Sequence, residues 1–330
     1  MPTPFRFRLA QRHIRLAVQA AFTLTSLWIG WRFFAFLSWV MGRTDVFAPR
    51  PAGVEGFLPI SAFMALRRWL VSGLWDRVHP AGLTILVAAL AIALIARKGF
   101  CAYICPVGCI SHLLELAGKK LGMSRDMPSG LGRVLGLPKY LLLGFFVVTV
   151  WQMPLAGVRQ FLNSPYNWAA DAKLLQFFLS PSGLSLAVLG LLAVASLVWR
   201  NAWCRFLCPY GALLGLLGLA SPLGLTRDAT TCIDCGKCAR ACPSQIDVPA
   251  KTTVNTPLCI GCMQCADACP VPDCLTPRLA CRVRVPLWLG LALTVGIFVA
   301  AWVWAMATGH WETDMPLNML RMLYLRGLGQ

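Results

Sequence analysis

The sequence predicts an α-helical integral membrane protein of about five spans, with a small cysteine-rich module inserted before the last span. Three observations carry that prediction. Hydrophobic residues make up 58% of the chain and charged residues 13%, with a mean hydropathy of +0.65, far from the averages of soluble domains. The apolar residues gather into runs at roughly 16–41, 80–97, 139–157, 182–199 and 285–308; a bilayer core of roughly 30 Å takes about 20 apolar residues to cross. Eight of the fifteen cysteines fall between Cys232 and Cys269 at metal-ligand spacing, so they read as ligands rather than as the disulfides of a short secreted fold.

Along the chain, the first run reads as an anchor that stays, because it is longer than a signal-peptide core and leads into SWVMGRTD without a small-residue cleavage site. The loop after it contains FLPISAFMALRRWLVSGLW, which predicts an interfacial amphipathic helix rather than a span. The run GALLGLLGLASPLGL at 211–225 is short and broken by Gly and Pro, and predicts a half-buried helix. The expected organisation is a membrane domain over 1–225 with four spans, a module over 226–284, and a last span with a short outer tail over 285–330.

Charge gives the orientation. With the N-terminus inside, twenty Lys and Arg fall in inside segments and nine in outside segments, five of these in the first outer loop (Arg43, Arg50, Arg67, Arg68 and Arg77). This predicts an N-in, C-out chain with the module in the cytoplasm, where thiols stay reduced. The net charge of +17 is dispersed between apolar runs instead of gathered on a soluble face, which excludes a nucleic-acid binder. From Arg227 to Arg284 seven Lys and Arg stand against five Asp and Glu, a balance suited to anionic headgroups or an acidic partner.

The module carries the chemistry. Cys232, Cys235, Cys238 and Cys242-Pro243 form C-x2-C-x2-C-x3-C-P, and Cys259, Cys262, Cys265 and Cys269-Pro270 repeat it. A 4Fe-4S cubane needs four converging thiolates, which three cysteines on a tight loop and one more distant cysteine can supply. Zinc ribbons are spaced differently. Gly236 and Gly261 sit among the ligands, where backbone amides must approach sulfur. The pattern resembles bacterial two-cluster ferredoxins, small α+β modules in which the fourth cysteine serves the other cluster. That resemblance implies one centre on Cys232, Cys235, Cys238 and Cys269, and another on Cys259, Cys262, Cys265 and Cys242.

A second repeat lies outside the module: FCAYICPVG at 100–108 and WCRFLCPYG at 203–211, both aromatic-C-x3-C-P-x-G. Each follows an apolar run and a basic residue, so both are expected at the same membrane face. Cys101, Cys105, Cys204 and Cys208 are then candidates for one further metal or redox-active thiol site, with helix-end packing as the alternative. Cys274 and Cys281 fit no pattern and read as structural thiols.

With its paired C-x3-C-P motifs ahead of a tandem ferredoxin motif and apolar runs flanking both, the chain resembles the NapH/NosR/MauN-like membrane-bound polyferredoxins, including their YccM-type members. The resemblance implies a bacterial inner-membrane, multi-pass electron-transfer subunit, a possible quinol dehydrogenase component rather than a stand-alone catalyst. Such a subunit passes electrons between the quinone pool or a cytoplasmic donor and a partner reductase. The alternative is an iron–sulfur maturation or redox-regulatory factor for a partner metalloenzyme. No haem, flavin or nucleotide signature is present: C-x-x-C-H is missing, His13, His79, His112 and His310 stand singly, and the glycines of LLGLLGLASPLG follow no strand.

Overall fold

The structure, a computed structural model, describes residues 4–280 and 282–327, with the side chains of 4–12 and of Ser129 excepted. Cys281 and Gln330 therefore lie outside the described residues, as do the side chains of Arg6, Arg8 and Arg12.

Among the described residues, three helices are long and apolar enough to cross a membrane: His13–Val40, Gly130–Gln152 and Leu289–Thr308. A fourth candidate is a pair, Ala170–Leu179 and Gly183–Val198, bent by 79° at its break. Pro181 sits in that break and cannot donate to a continuing helix, while the Ser182 hydroxyl accepts the Ser185 amide and starts the second half. The run expected at 80–97 is a helix of 17 residues, Pro80–Ala96, shorter than the three long ones. The run expected at 139–157 stops at Gln152, two residues ahead of Pro154. The segment at 211–225 is a helix only over Pro209–Leu217; it tightens at Gly218–Ala220 and becomes a strand at Leu223.

The chain folds as two compact units, each assembled from three segments. The first comprises the chain to Thr23, Ala89–Leu143 and Gly190–Ile297. It contains the whole cysteine-rich module, framed by an antiparallel sheet of β1 (Leu223–Arg227), β2 (Leu275–Leu279) and β3 (Val283–Arg284). Leu223 pairs with Leu279 and Arg227 with Leu275, so the sheet closes the module by joining its two ends. Within this unit the helix Pro106–Lys120 packs directly on backbone: a Cβ on Gly118 would lie 2.0 Å from the Leu197 carbonyl oxygen, a contact that only glycine permits.

The second unit comprises Leu24–Ala88, Gly144–Leu189 and the chain from Phe298. Phe33, Phe36, Leu37 and Val40 repeat at helical spacing along the first helix and are buried against Ala169, Ala172, Leu320 and Tyr324. The predicted amphipathic helix is Pro59–Ser72, with Ala62, Met64, Ala65 and Leu66 buried, Leu70 and Val71 exposed, and left-handed Gly73 as its stop.

Two arginines of the segment after the first helix have structural roles here. Arg67 donates to the Val150 and Met153 carbonyls and so satisfies the end of the helix that stops at Gln152. Arg50 is the hub of a buried polar group: it donates to Glu55 Oε1 and Asp171 Oδ2, both at 2.7 Å, and to the Tyr324 hydroxyl at 2.9 Å. That hydroxyl in turn donates to Asp171 Oδ2 at 2.7 Å. His79 joins the group, with Nδ1 at 3.5 Å from Glu55 Oε1 and Nε2 donating to the Asn167 carbonyl at 2.8 Å. Replacing Arg50 with Met would leave two buried carboxylates facing each other without their cation. The expected cost is about 3–5 kcal/mol, read as faster proteolysis of the purified chain on heating; a variant as resistant as the native chain would refute this role for Arg50.

Candidate metal centres

The two ferredoxin motifs fold alike at the middle cysteine. Asp234 and Gly236 flank Cys235 with positive φ, and Gly261 and Met263 flank Cys262 in the same way. Left-handed residues on both sides curl the loop and turn backbone N–H groups inward, the arrangement that receives anionic groups. Two of these four positions are glycines, where the conformation costs nothing; Asp234 and Met263 bear it as the loop requires.

Each loop leads into a short helix, Lys237–Ala241 or Gln264–Asp267, and the two helices pack together. A cysteine and a proline close each helix segment. Proline disfavours helical backbone in the residue before it, and Cys242 is accordingly extended, with φ −75° and ψ 117°. The consequence is a division of sulfurs. Cys238, inside the first helix, lines one hollow with Cys232, Cys235 and Cys269, whereas Cys242 lines the other with Cys259, Cys262 and Cys265. The structure thus gathers the eight cysteines into the two crossed sets that the ferredoxin resemblance implies. Among the described residues, no three His, Cys, Asp or Glu stand close enough to hold a single metal ion; four sulfurs spread around a hollow suit the separated iron corners of a cubane.

The hollows differ in setting. Ile233, on the wall of the first, is 64% exposed, whereas Cys242 in the second is buried and its sulfur accepts the Ile246 amide at 3.4 Å. Burial pushes the Cys242 thiol up to about 12. At neutral pH such a thiol keeps its proton until a metal ion displaces it into solvent. Cys274, which the sequence left without a pattern, also lines the first hollow, and its thiol donates to the Asp228 carbonyl at 3.6 Å. It is a neighbour of the four sulfurs, with its proton already placed.

The paired C-x3-C-P motifs share one backbone solution. Each is a π-helical turn, Phe100–Ile104 or Trp203–Leu207, entered through a left-handed residue, Arg97 or Asn201. Each closes by an amide reaching back five residues, from Cys105 to the Phe100 carbonyl and from Cys208 to that of Trp203. Pro106 and Pro209 then begin new helices at the position where a missing N–H costs nothing. Cys101, Cys105, Cys204 and Cys208 line a single hollow, so the structure brings these four together as well. Burial raises the Cys101 thiol to about 11 and Cys204 to about 12. Cys109 is buried separately in the helix Pro106–Lys120.

The basic residues beside these turns hold the module. Arg97 donates to the Leu223 carbonyl at 2.5 Å, Arg200 to the Arg240 carbonyl at 2.7 Å, and Asn201 to the Pro243 carbonyl at 3.2 Å. Arg205 donates to Gln245, whose amide donates to Asp126 at 2.7 Å. Gly215 lies so close to the module that a Cβ there would fall 2.4 Å from the Pro257 carbonyl oxygen. Sequence reasoning gave these cations to membrane orientation only; their spacing from the repeated motif was the available signal.

Comparison with known proteins agrees with this division. The family described as "4Fe-4S binding domain" matches residues 78–124 and again 180–224, and the "4Fe-4S dicluster domain" family matches 224–270. YccM of Escherichia coli (strain K12), named as an electron transport protein, is 39% identical over 324 residues, covering 96% of this chain and 89% of its own. The methylamine utilization ferredoxin-type protein MauN of Paracoccus denitrificans is 29% identical over 53% of this chain and 59% of its own. The ferredoxin-type protein NapH of Haemophilus influenzae is 27% identical over 50% of this chain and 55% of its own. No solved structure matches.

Crossed sharing makes a specific prediction. Replacing Cys242 with Ala removes a sulfur from the hollow of Cys259, Cys262 and Cys265, so electron paramagnetic resonance of the reduced protein should lose or alter the signal of that centre. Loss of the Cys232 centre alone would show that each motif binds its own cluster.

Proposed function

We propose that this chain, which belongs to the family of ferredoxin-type electron transport proteins that includes YccM, MauN and NapH, relays electrons from a hydroquinone of the membrane to a partner oxidoreductase. The observation that carries this reading is the pair of four-cysteine hollows joined by two short helices, each helix segment giving one sulfur to either hollow. A 4Fe-4S cluster, once bound, carries one electron at a time. A hydroquinone releases two electrons and two protons on becoming a quinone, so two such centres match its electron count.

The residues support a direction. The Cys242 hollow is the more enclosed and is the one tied to the C-x3-C-P turns through Arg200 and Asn201. The Cys232 hollow has exposed Ile233 on its wall, where a partner protein can approach. Electrons then enter at the Cys242 set and leave at the Cys232 set. The three long apolar helices and the excess of Lys and Arg in the segments around the module support a location in the bacterial inner membrane with the module in the cytoplasm.

Anaerobic redox titration of membranes holding the reconstituted chain tests the relay. Addition of a hydroquinone analogue should generate the reduced-cluster signals, with the two centres filling in turn. Clusters that dithionite reduces but hydroquinone leaves oxidised would overturn the reading in favour of a maturation or regulatory factor. Topology is tested separately: a reporter active only outside the cytoplasm should stay silent when inserted near Lys251 and be active when inserted after Gly309. The reverse pattern would overturn the assigned orientation and leave the cluster ligands untouched.

A further inference from the structure

We propose that Cys101, Cys105, Cys204 and Cys208 together hold a third 4Fe-4S cluster, placed beside the Cys242 hollow. The site stands on its own geometry, and only its place in an electron path rests on the relay reading above. Each copy of the C-x3-C-P motif supplies two cysteines, and a cubane needs four ligands, so neither 78–124 nor 180–224 can complete a cluster alone. The fold removes that difficulty by bringing both pairs to one hollow. It encloses about 780 Å³, its open mouth included, against about 450 and 380 Å³ for the two ferredoxin hollows, so room is not the limit.

The surroundings favour an anionic occupant. Arg15, Arg97, Lys98, Lys139, Arg200 and Arg205 are buried in this unit, and Glu115 is the only buried carboxylate among its described residues. Glu115 is taken up by Lys119 at 2.6 Å and by His112 at 3.5 Å. Arg15, Lys98 and Arg205 line the hollow, and Lys139 lies within electrostatic reach of Cys204 and Cys208. Arg15 Nε, Arg205 Nε and Lys139 Nζ are buried without a hydrogen-bond acceptor. Burying such donor groups without an acceptor is costly. Four neutral thiols would leave that cost standing, whereas a cubane with four thiolates brings about two negative charges and several acceptor sulfurs.

Two further details fit a cluster better than packed thiols or zinc. The Gly211 amide donates to Cys208 Sγ at 3.3 Å, and Gly108 occupies the matching position, where a Cβ would lie 2.6 Å from the Cys101 carbonyl oxygen. The first contact caps the helix Pro209–Leu217 and also holds the Cys208 sulfur toward the hollow. A zinc ion would draw its four sulfurs in tightly, and no such group of three is present among the described residues.

The third hollow shares Pro243, Ser244 and Ile260 with the hollow of Cys242, Cys259, Cys262 and Cys265. A single layer of residues separates the two. In the relay, a cluster held by these four cysteines would take the two electrons of a hydroquinone one at a time, with its two protons going to water, and would stand next to the Cys242 set that would receive each electron in turn.

Iron and sulfide analysis of the anaerobically purified, reconstituted full chain tests the proposal, with Mössbauer spectra to identify the clusters. The native chain should hold about twelve irons and the Cys105→Ser, Cys208→Ser double variant about eight, a loss of one third, at four irons per cubane. Both ferredoxin signals should persist in that variant. Cys109→Ser, altering a neighbouring buried thiol, should keep about twelve. A native chain that stops at about eight irons, with or without zinc, overturns the third cluster whether or not the double variant folds. About twelve irons without reduction by hydroquinone supports the third cluster and overturns the relay, while about eight with full reduction does the reverse.

Discussion

Each of the three cysteine-lined hollows described above is closed by sulfurs from two separate segments, and much of the first unit follows from that constraint. Four ligands around a cluster exceed what one tight loop offers, since three closely spaced cysteines already consume the curvature of the loop. The fourth must come from elsewhere, so the two ferredoxin loops have to stand side by side. Packing of Lys237–Ala241 on Gln264–Asp267 achieves it, and the pairing of β1 with β2 fixes the ends of the module that carries them. The Cys-Pro step recurs because it solves a local problem: it breaks helical backbone at the cysteine while leaving proline free to begin the next segment.

The two units handle buried charge in opposite ways. In the second, Arg50 meets Glu55 and Asp171 with Tyr324 bridging, and His79 stands by Glu55, so the polar group closes upon itself. In the first, buried cations outnumber buried carboxylates, and several of their N–H groups have no acceptor. The excess of buried cations over buried carboxylates around the sulfurs of the first unit is consistent with anionic occupants in the hollows. The same cations would strengthen the reduced, more negative form of a cluster and so raise its potential, as would amides directed at sulfur.

Positive residues serve more than one purpose here. Arg97, Lys98, Arg200 and Arg205 count toward the inside excess and also reach the backbone or side chains of the module. Arg50 and Arg67 count against that excess, yet one is enclosed by carboxylates and the other satisfies helix-end carbonyls. Orientation rules weigh a lysine or arginine by position alone, and an arginine whose charge or donors are already used in the fold carries less of that weight.

The sequence by itself determined the candidate ligand residues and the helical periods, because both are local: C-x2-C-x2-C-x3-C-P states its own spacing, and runs of apolar residues state their own length. It also showed that Cys101 and Cys105 repeat as Cys204 and Cys208. Only the tertiary structure decided that the two pairs share one hollow, that Cys242 lines the hollow of the second motif and Cys269 that of the first, and that Cys274 stands beside the first set. It likewise decided that the span expected at 182–199 follows a second helix, Ala170–Leu179, across a bend at Pro181, and that the one expected at 80–97 is 17 residues long. Arg15, in the first helix, and Arg205, in a turn some 190 residues later, gave no sign in the sequence that they would line the same hollow. The reason is physical: ligand spacing and hydrophobic period are written within a few residues of one another, whereas charge compensation and convergence depend on which distant surfaces fold together.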